Sequence, residues 1–204
     1  MPTPRKRALA PRSIAPRSVG VIVLRATIRD VTPPVWREIS VPDTYSLAQL
    51  HRVLQCTFAW MDYHLHEFRL GRQRFVPAVS ELPGKDTART SLASLKLKPG
   101  AMMVYEYDYG DGWEHELLVV AVVRETTTPG ALLMPRVLAG ERAAPPDDSG
   151  GAHGYVAMLA ALADPKHPEH PQAREWIPPG FDPAVFDLPS ADHAVVLACA
   201  WGAI

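Results

Sequence analysis

Hydrophobic and polar residues alternate along several stretches of the first part of the chain, which is the pattern of half-buried β-strands. Two such stretches separated by Pro33-Pro34, and two more separated by Gly71, predict two pairs of neighbouring strands. These strands are predicted at 19–30, 35–41, 65–70 and 72–76. Between the pairs, apolar residues recur at helical spacing over 46–59, where Ser46 and Gln49 have the spacing of a capping box.

The central segment from Tyr105 to Glu116 predicts a β-hairpin. Aromatic residues alternate with acidic ones as far as Gly110, which gives the first strand one aromatic and one acidic face. Asp111-Gly112 then supplies the backbone freedom that a tight turn requires. The arms are predicted at 102–109 and 113–124. The second arm continues into an apolar run, so it is predicted to be a central, well-buried strand.

The register of this hairpin depends on the length of its turn. A two-residue turn places Asp108 opposite His115 and makes an Asp–His pair suited to general acid–base catalysis. A three-residue loop instead places Tyr107 opposite His115 and Asp108 opposite Glu114. The sequence leaves both registers open.

The last third of the chain changes from strand patterns to helical ones. Residues 77–91 and 135–149 are expected to be loops, and helices are predicted at 154–163, 169–176 and 191–201. Strands first and helices later indicate an α+β fold with a mostly antiparallel sheet, a β-β-α-β start and C-terminal helices. We expect one domain over 19–204, preceded by a disordered basic tail at 1–18.

Charge is distributed unevenly along the 204 residues. The first 18 residues hold five of the 21 basic residues and none of the 22 acidic ones, so the remainder carries 16 basic and 22 acidic residues. A mildly acidic body argues against a broad nucleic-acid-binding face, which needs clustered cations. We therefore expect contact with nucleic acid only through the basic tail, and otherwise a protein or ligand partner.

Cysteine content and hydropathy bear on the compartment. Cys56 and Cys199 do not form a disulfide framework, and two buried free thiols fit a reducing cytoplasm. No apolar run approaches the roughly 18 residues of a membrane span. The basic N-terminus lacks a following apolar stretch, so a secretory signal is not expected. A cytoplasmic protein without membrane contact is predicted.

Five ordered motifs resemble one protein family. They are RDVTPPVWR at 29–37, HLHEF at 64–68, YEYDYGDGWEH at 105–115, GGAHGY at 150–155 and FDPAVFD at 181–187. Over 19–190 the chain resembles the plasmid pRiA4b ORF-three family, which is itself similar in part to an insertion-sequence passenger protein. The resemblance implies an uncharacterised binding or accessory protein linked to plasmids or mobile elements.

This chain departs from the family pattern at several positions. Val137, Ala144 and Ser149 stand where family members often carry cysteines, so a family thiol, disulfide or cysteine–metal role cannot operate here. His153 stands where a tryptophan is usual.

Histidines supply the candidate metal ligands. His64 and His66 form an H-x-H pair, and alternate residues of a strand share a face. His115 could be a third nitrogen ligand, with Asp108 or Asp111 as an oxygen ligand or base. Three protein ligands with an open position suit a catalytic divalent ion. Alternatively, His64 and His66 bind loop backbone and His115 pairs with an acid.

Acidic residues offer further candidates near the hairpin. One acidic face of the hairpin could be lined by Glu106, Asp108, Glu114 and Glu116. Such a face could be a two-metal nuclease site, or it could be solvated or meet a basic partner. The run 147–151 precedes a predicted helix, and its side chains are expected to cap that helix.

Two classes of function remain. One is a non-enzymatic binding or accessory protein whose surface is formed by the family motifs. Its binding residues would be Trp36, His66, Glu67, Trp113, Gly151 and Tyr155. The alternative is a metal-dependent hydrolase or nuclease with a divalent ion as cofactor. Its metal ligands would be His64, His66 and His115, and its catalytic residues Asp108, Asp111 and His115.

Overall fold

The computed structural model describes residues 17–128, 131–200, 202 and 204. Its strands are β1 (Arg17–Ile28), β2 (Trp36–Pro42), β3 (His66–Leu70), β4 (Gln73–Val76), β5 (Lys85–Asp86), β6 (Met102–Tyr107), β7 (Trp113–Thr127) and β8 (Arg136–Glu141). Its helices are α1 (Leu47–Phe58), α2 (Gly151–Ala163), α3 (His170–Trp176) and α4 (Leu188–Ala200), with a 3-10 turn at Leu92–Leu95. The predicted tail lies outside the described residues as far as residue 16, whereas Arg17 and Ser18 already belong to β1.

The eight strands form one sheet in the order β5-β4-β3-β6-β7-β1-β2-β8. All neighbouring pairs are antiparallel except β4 and β5. The predicted α+β class with a mostly antiparallel sheet is therefore confirmed. The long central strand β7 lies between β6 and β1, but Val120, Val122 and Val123 in its second half are exposed.

One face of the sheet carries the hydrophobic core. Alternate residues of β7 are buried as far as Val119 and pack in the same cluster as the apolar stripe of α1. Residues of α2 and α4 complete this cluster, including Tyr155 and Val195. Burial of apolar surface contributes about 25 cal/mol per Å² to the stability of the fold. The buried apolar side chains of these helices therefore hold them against the sheet.

Helix α1 begins as the sequence predicts. The Ser46 hydroxyl accepts the Gln49 backbone N–H, and the Gln49 side chain accepts the Ser46 N–H, at 3.2 and 3.0 Å. Both halves of the capping box are thus present. The helix ends at Ala59, which is in the left-handed conformation and directs the chain into the loop 59–65.

The hairpin has neither of the two registers that the turn length suggested. Tyr105 pairs with His115 and Tyr107 with Trp113, so the loop contains five residues, 108–112. Asp108 is in the left-handed conformation (φ 56°), and its N–H donates to Leu65 O at 2.9 Å instead of joining the hairpin ladder. Its side chain and carbonyl then accept the Gly110 and Gly112 N–H groups, which closes the wider loop.

Two segments expected to be loops contain strands. The two-residue strand β5 lies in 77–91, and β8 lies in 135–149. Strand β8 pairs with the edge of β2, and Gly140 lets it approach the side chains that cover it. A Cβ at Gly140 would lie 2.5 Å from Phe186 and 2.9 Å from Arg37. Such long-range packing has no local sequence signal.

Among the described residues, no helix combines the length and the apolar character that crossing a membrane requires.

Candidate functional site

Three loops meet beside the turn of the central hairpin: 59–65, 108–112 and 144–150. The first two are joined by the hydrogen bond from Asp108 N to Leu65 O. Met61 N donates to the Asp147 carboxylate at 3.0 Å, which ties the first loop to the third. Gly150 N donates to the Asp111 carboxylate at 3.0 Å, which ties the third loop to the second. Each loop carries one of the family motifs or the acidic run before α2.

His64, Asp108 and Asp148 converge where these loops meet. The His64 Nε2 atom lies 3.2 Å from an Asp148 carboxylate oxygen and 3.7 Å from an Asp108 oxygen. One donor atom from each residue lies within 4.8 Å of the other two. Asp108 is buried, His64 is half-buried and Asp148 is exposed, so the cluster opens toward solvent on one side. A nitrogen and two carboxylates form a donor set that borderline and hard divalent ions accept.

Asp147 adds a further carboxylate beside the cluster. Burial raises the pKa of Asp147, while the Met61 N–H acts in the opposite direction and nearby Asp148 raises the pKa further. Like charges disfavour the ionised form of each carboxylate, and a bound cation relieves that repulsion.

A second polar cluster links the loop 59–65 to helix α1. His51, on the buried face of α1, contacts the Tyr105 hydroxyl through Nδ1 at 2.8 Å and the Asp62 carboxylate through Nε2 at 2.6 Å. Gln55 donates to the same hydroxyl and accepts the Asp62 N–H. In the neutral imidazole the Nε2 proton is donated to Asp62, so Nδ1 accepts the tyrosine proton. Both ring nitrogens of His51 are therefore engaged.

His66 stacks on His51 with ring centroids 3.5 Å apart and an interplanar angle of 13°. Burial, with a smaller effect of His51, lowers the pKa of His66 to about 3, so the ring is neutral at physiological pH. Its Nε2 atom is buried and has no hydrogen-bond partner in the part of the chain that the structure describes. A cavity of about 290 Å³ is lined by His51 and His66 of this cluster and by His64 of the first.

The three histidines predicted as metal ligands do not form one ligand set among the described residues. His64 precedes β3, so the alternation that would align it with His66 does not apply. His115 is fully buried, packs against Phe58 and Trp60, and contacts Trp113 O through Nδ1 at 3.2 Å. Burial lowers the pKa of His115 to about 4.

The predicted catalytic residues are also separated. Asp108 faces His64, whereas His115 lies opposite Tyr105 on the core face, because the five-residue loop takes Asp108 out of the strand. Asp111 caps the Gly150 N–H and so holds the loop that carries Asp148. The Asp–His pair of the two-residue turn is therefore absent.

The predicted binding residues do not share one surface. Side chains on β3 alternate, so His66 faces the core and Glu67 the opposite side, where Arg74 contacts it at 3.0 Å. Trp36 lies on that opposite side under the Arg25 guanidinium. The remaining three of the predicted residues are buried: Trp113, Tyr155 and Gly151.

The acidic face of the hairpin is neutralised by arginines. Arg29 binds Glu114 at 2.6 Å and Glu116 at 3.0 Å, while Arg69 binds Glu114 and Glu106. Among the described residues, these glutamates do not form a group of three ligand atoms close enough to share an ion, so the arrangement does not resemble a two-metal nuclease site.

Asp148 and His51 are the site residues that sequence reasoning missed. The sequence predicts that Asp148 caps α2, but Gly150 is the N-cap and no side chain of the described residues caps this helix. His51 carried a usable signal: it lies within the apolar stripe of α1 together with Gln55, four residues on. Polar side chains at buried helical positions need partners, and their pairing points to a network.

Comparisons with known proteins identify relatives of similar length. The family model "Plasmid pRiA4b ORF-3-like protein" matches residues 20–190. The "Uncharacterized protein y4hQ" of Sinorhizobium fredii (strain NBRC 101917 / NGR234) is 37% identical over 187 residues, covering 89% of this chain and 94% of that protein. The crystal structure of the "Protein of Unknown Function MM3350" from Methanosarcina mazei Go1 has 32% identity and a TM-score of 0.74, covering 84% of this chain and 97% of that one.

Proposed function

This chain belongs to the plasmid pRiA4b ORF-3-like family, and from that premise we propose that it is a binding protein that holds a divalent metal ion between His64, Asp108 and Asp148. The membership confirms the resemblance carried by the sequence motifs. Neither relative is described by a ligand or a reaction, so the proposal rests on the site. The observation that carries it is the convergence of three donor side chains from three separate loops.

The spacing of the donors fits a metal ion. Metal–ligand distances of about 2.1 Å place neighbouring ligand atoms about 3 Å apart and opposite ones about 4 Å apart. The separations of 3.2 and 3.7 Å from His64 Nε2 lie in that range. Three protein donors leave coordination positions for water or a ligand. The two carboxylates, with Asp147 beside them, supply the negative charge that a dication needs.

The test is a calorimetric titration of the purified protein with Mn²⁺ and with Zn²⁺. We expect one site per chain and at least a tenfold loss of affinity in His64→Ala and in Asp148→Asn, since each change removes a metal bond. His153→Ala is the matched control, because His153 is an exposed histidine at the start of α2. Absence of binding by the wild-type protein, or equal loss in the control, would contradict the proposal.

A metal-dependent hydrolase or nuclease is the second candidate function. The open coordination positions favour it, because a metal-bound water is a nucleophile at neutral pH. The neighbouring histidines favour it less: both ring nitrogens of His51 are engaged, and His66, with a pKa of about 3, is a weak base. Manganese-dependent cleavage of bis-p-nitrophenyl phosphate or plasmid DNA that is lost in His64→Ala would support this candidate. Metal binding without cleavage would contradict the hydrolase or nuclease function and support the binding function.

Other parts of the proposed function come from the sequence. We propose a cytoplasmic location because Cys56 and Cys199 are free thiols, although both are half-buried and not buried as the sequence predicts. An accessory role linked to plasmids or mobile elements is proposed on the basis of the family. Contact with nucleic acid is proposed only for the basic N-terminal segment, most of which lies outside the described residues.

A further inference from the structure

Arg37 is a buried cation without an acidic partner. It lies on the core face of β2, and its residue exposure is 2%. No ion pair of the described residues involves it, although arginine is rarely buried without a carboxylate. The feature is separate from the metal-site cluster, which lies around the hairpin turn.

The contacts of Arg37 leave part of its guanidinium free. Nη1 donates to two backbone carbonyls, Trp36 O at 2.8 Å and Glu141 O at 2.9 Å. Nε is buried and has no hydrogen-bond partner among the described residues. One face of the guanidinium lies 3.8 Å from the ring centroid of Phe186, so a cation–π contact compensates part of the buried charge. Burial lowers the pKa of Arg37 to about 10, as expected where no anion offsets the charge.

Arg37 is one of the residues that line a cavity of about 490 Å³. Its walls are mainly apolar and come from the end of α1, the 143–146 segment and the 178–194 region. They include Phe58, Phe181, Val185, Pro145 and Ala191. The volume is within the range of sites for small organic ligands, which combine apolar walls with a few polar groups.

The acidic side chain in the lining of this cavity, Asp187, is hydrogen-bonded to Ser190. Asp187 contributes to the lining, but its carboxylate accepts the Ser190 N–H at 3.0 Å and the Ser190 hydroxyl at 2.7 Å at the start of α4. Those hydrogen bonds lower the pKa of Asp187 and hold it as a helix cap. Arg37 therefore remains without a carboxylate partner.

We propose that this cavity binds a small organic monocarboxylate whose apolar body fills the space between Phe181, Pro145 and Ala191 and whose carboxylate meets Arg37. A single arginine neutralises one negative charge, so a monoanion matches the site and a phosphate dianion would leave charge buried. The apolar walls select an aromatic or alkyl body over a sugar. This site is independent of the proposed metal function.

The test uses 4-phenylbutyrate, with the uncharged 4-phenylbutanamide as a matched ligand, in calorimetric titrations of the full chain. We expect the acid to bind and the amide to bind roughly ten- to hundredfold more weakly, because only the acid pairs with the buried cation. Arg37→Met keeps an unbranched side chain, although a shorter one, and removes the guanidinium donors, so it should reduce acid binding to the level of the amide.

A second variant keeps the test decisive if Arg37→Met folds poorly. Ala194 is exposed on α4 and lines the cavity, so Ala194→Phe should close it while Arg37 remains in place. Ala157→Phe, at an exposed position of α2 outside this cavity, is the matched control. Acid binding that is lost in Ala194→Phe and kept in Ala157→Phe supports the proposal. Equal affinity for acid and amide, binding that survives Ala194→Phe, or no binding of the acid by wild type overturns it.

Discussion

Wild-type protein should lose about 2 kcal/mol of its free energy of unfolding between pH 7.5 and pH 5 through His115, and replacement of His115 by leucine should abolish that loss. His115 is fully buried against Phe58, Trp60 and Tyr105, and burial lowers its pKa from 6.5 to about 4. Below pH 6.5 the unfolded chain binds a proton at this residue that the folded chain does not bind. Stability from the neutral ring is therefore fully present above pH 6.5 and is lost as the pH falls toward 4.

The magnitude follows from the two pKa values. A difference of one pKa unit corresponds to about 1.4 kcal/mol, so from pH 7.5 to pH 5 the wild-type protein should lose about 2 kcal/mol through His115 alone. His66, with its pKa of about 3, adds a loss of the same sign in this window. Asp147 and Glu106, whose pKa values burial raises, act in the opposite direction. Comparison of wild type with one variant cancels these shared contributions.

The assay is urea unfolding at pH 7.5 and pH 5, followed by tryptophan fluorescence. His115→Leu loses the contact with Trp113 O and some ring packing, so it should be less stable at pH 7.5. At pH 5 the deficit relative to wild type should be about 2 kcal/mol smaller. His153→Leu, at an exposed position, should show the same pH dependence as wild type. A deficit for His115→Leu that stays constant between the two pH values would refute the reasoning.

Two further substitutions test the local structure around the site and the first helix. Gly151→Ala places a Cβ 2.2 Å from Asp111 O at a positive φ, so it should cost about 2–4 kcal/mol in urea unfolding and weaken metal binding. Gly180→Ala, at a positive φ with open space around it, should cost about 1 kcal/mol by the same measurement. Equal costs would show that the close approach does not matter. Ser46→Ala removes the N-cap of α1 and should cost about 1 kcal/mol by the same measurement, while exposed Thr44→Ala should change stability by less than about 0.5 kcal/mol. Equal effects of these two changes would exclude the cap as a source of stability.

Several elements could be predicted because their signals are local. The capping box at Ser46 and the apolar stripe behind it define α1 within a few turns of chain, and alternation defines β1, β2 and the hairpin arms. Strand β8 had no such signal, because its pairing with β2 and the close packing of Phe186 over Gly140 join distant segments.

The candidate site shows the same division. The motifs drew attention to His64 and Asp108, which the structure places together, and also to His66 and His115, which it places in the core. Only the folded structure shows Asp148 beside His64, because the local sequence around Asp148 has the pattern of a helix cap. The lack of an ion-pair partner for Arg37 among the described residues likewise depends on which carboxylates lie near it in space.

The sequence by itself determined the α+β class, the family and most of the helices and strands, because periodicity and capping act between residues that are close along the chain. Only the tertiary structure decided the register of the hairpin, since one hydrogen bond from Asp108 to Leu65 on another loop widens the turn. It also decided which side chains share a site. Asp148 meets His64 because Asp111 and the close approach at Gly151 hold distant loops together, and such contacts have no counterpart in the order of residues.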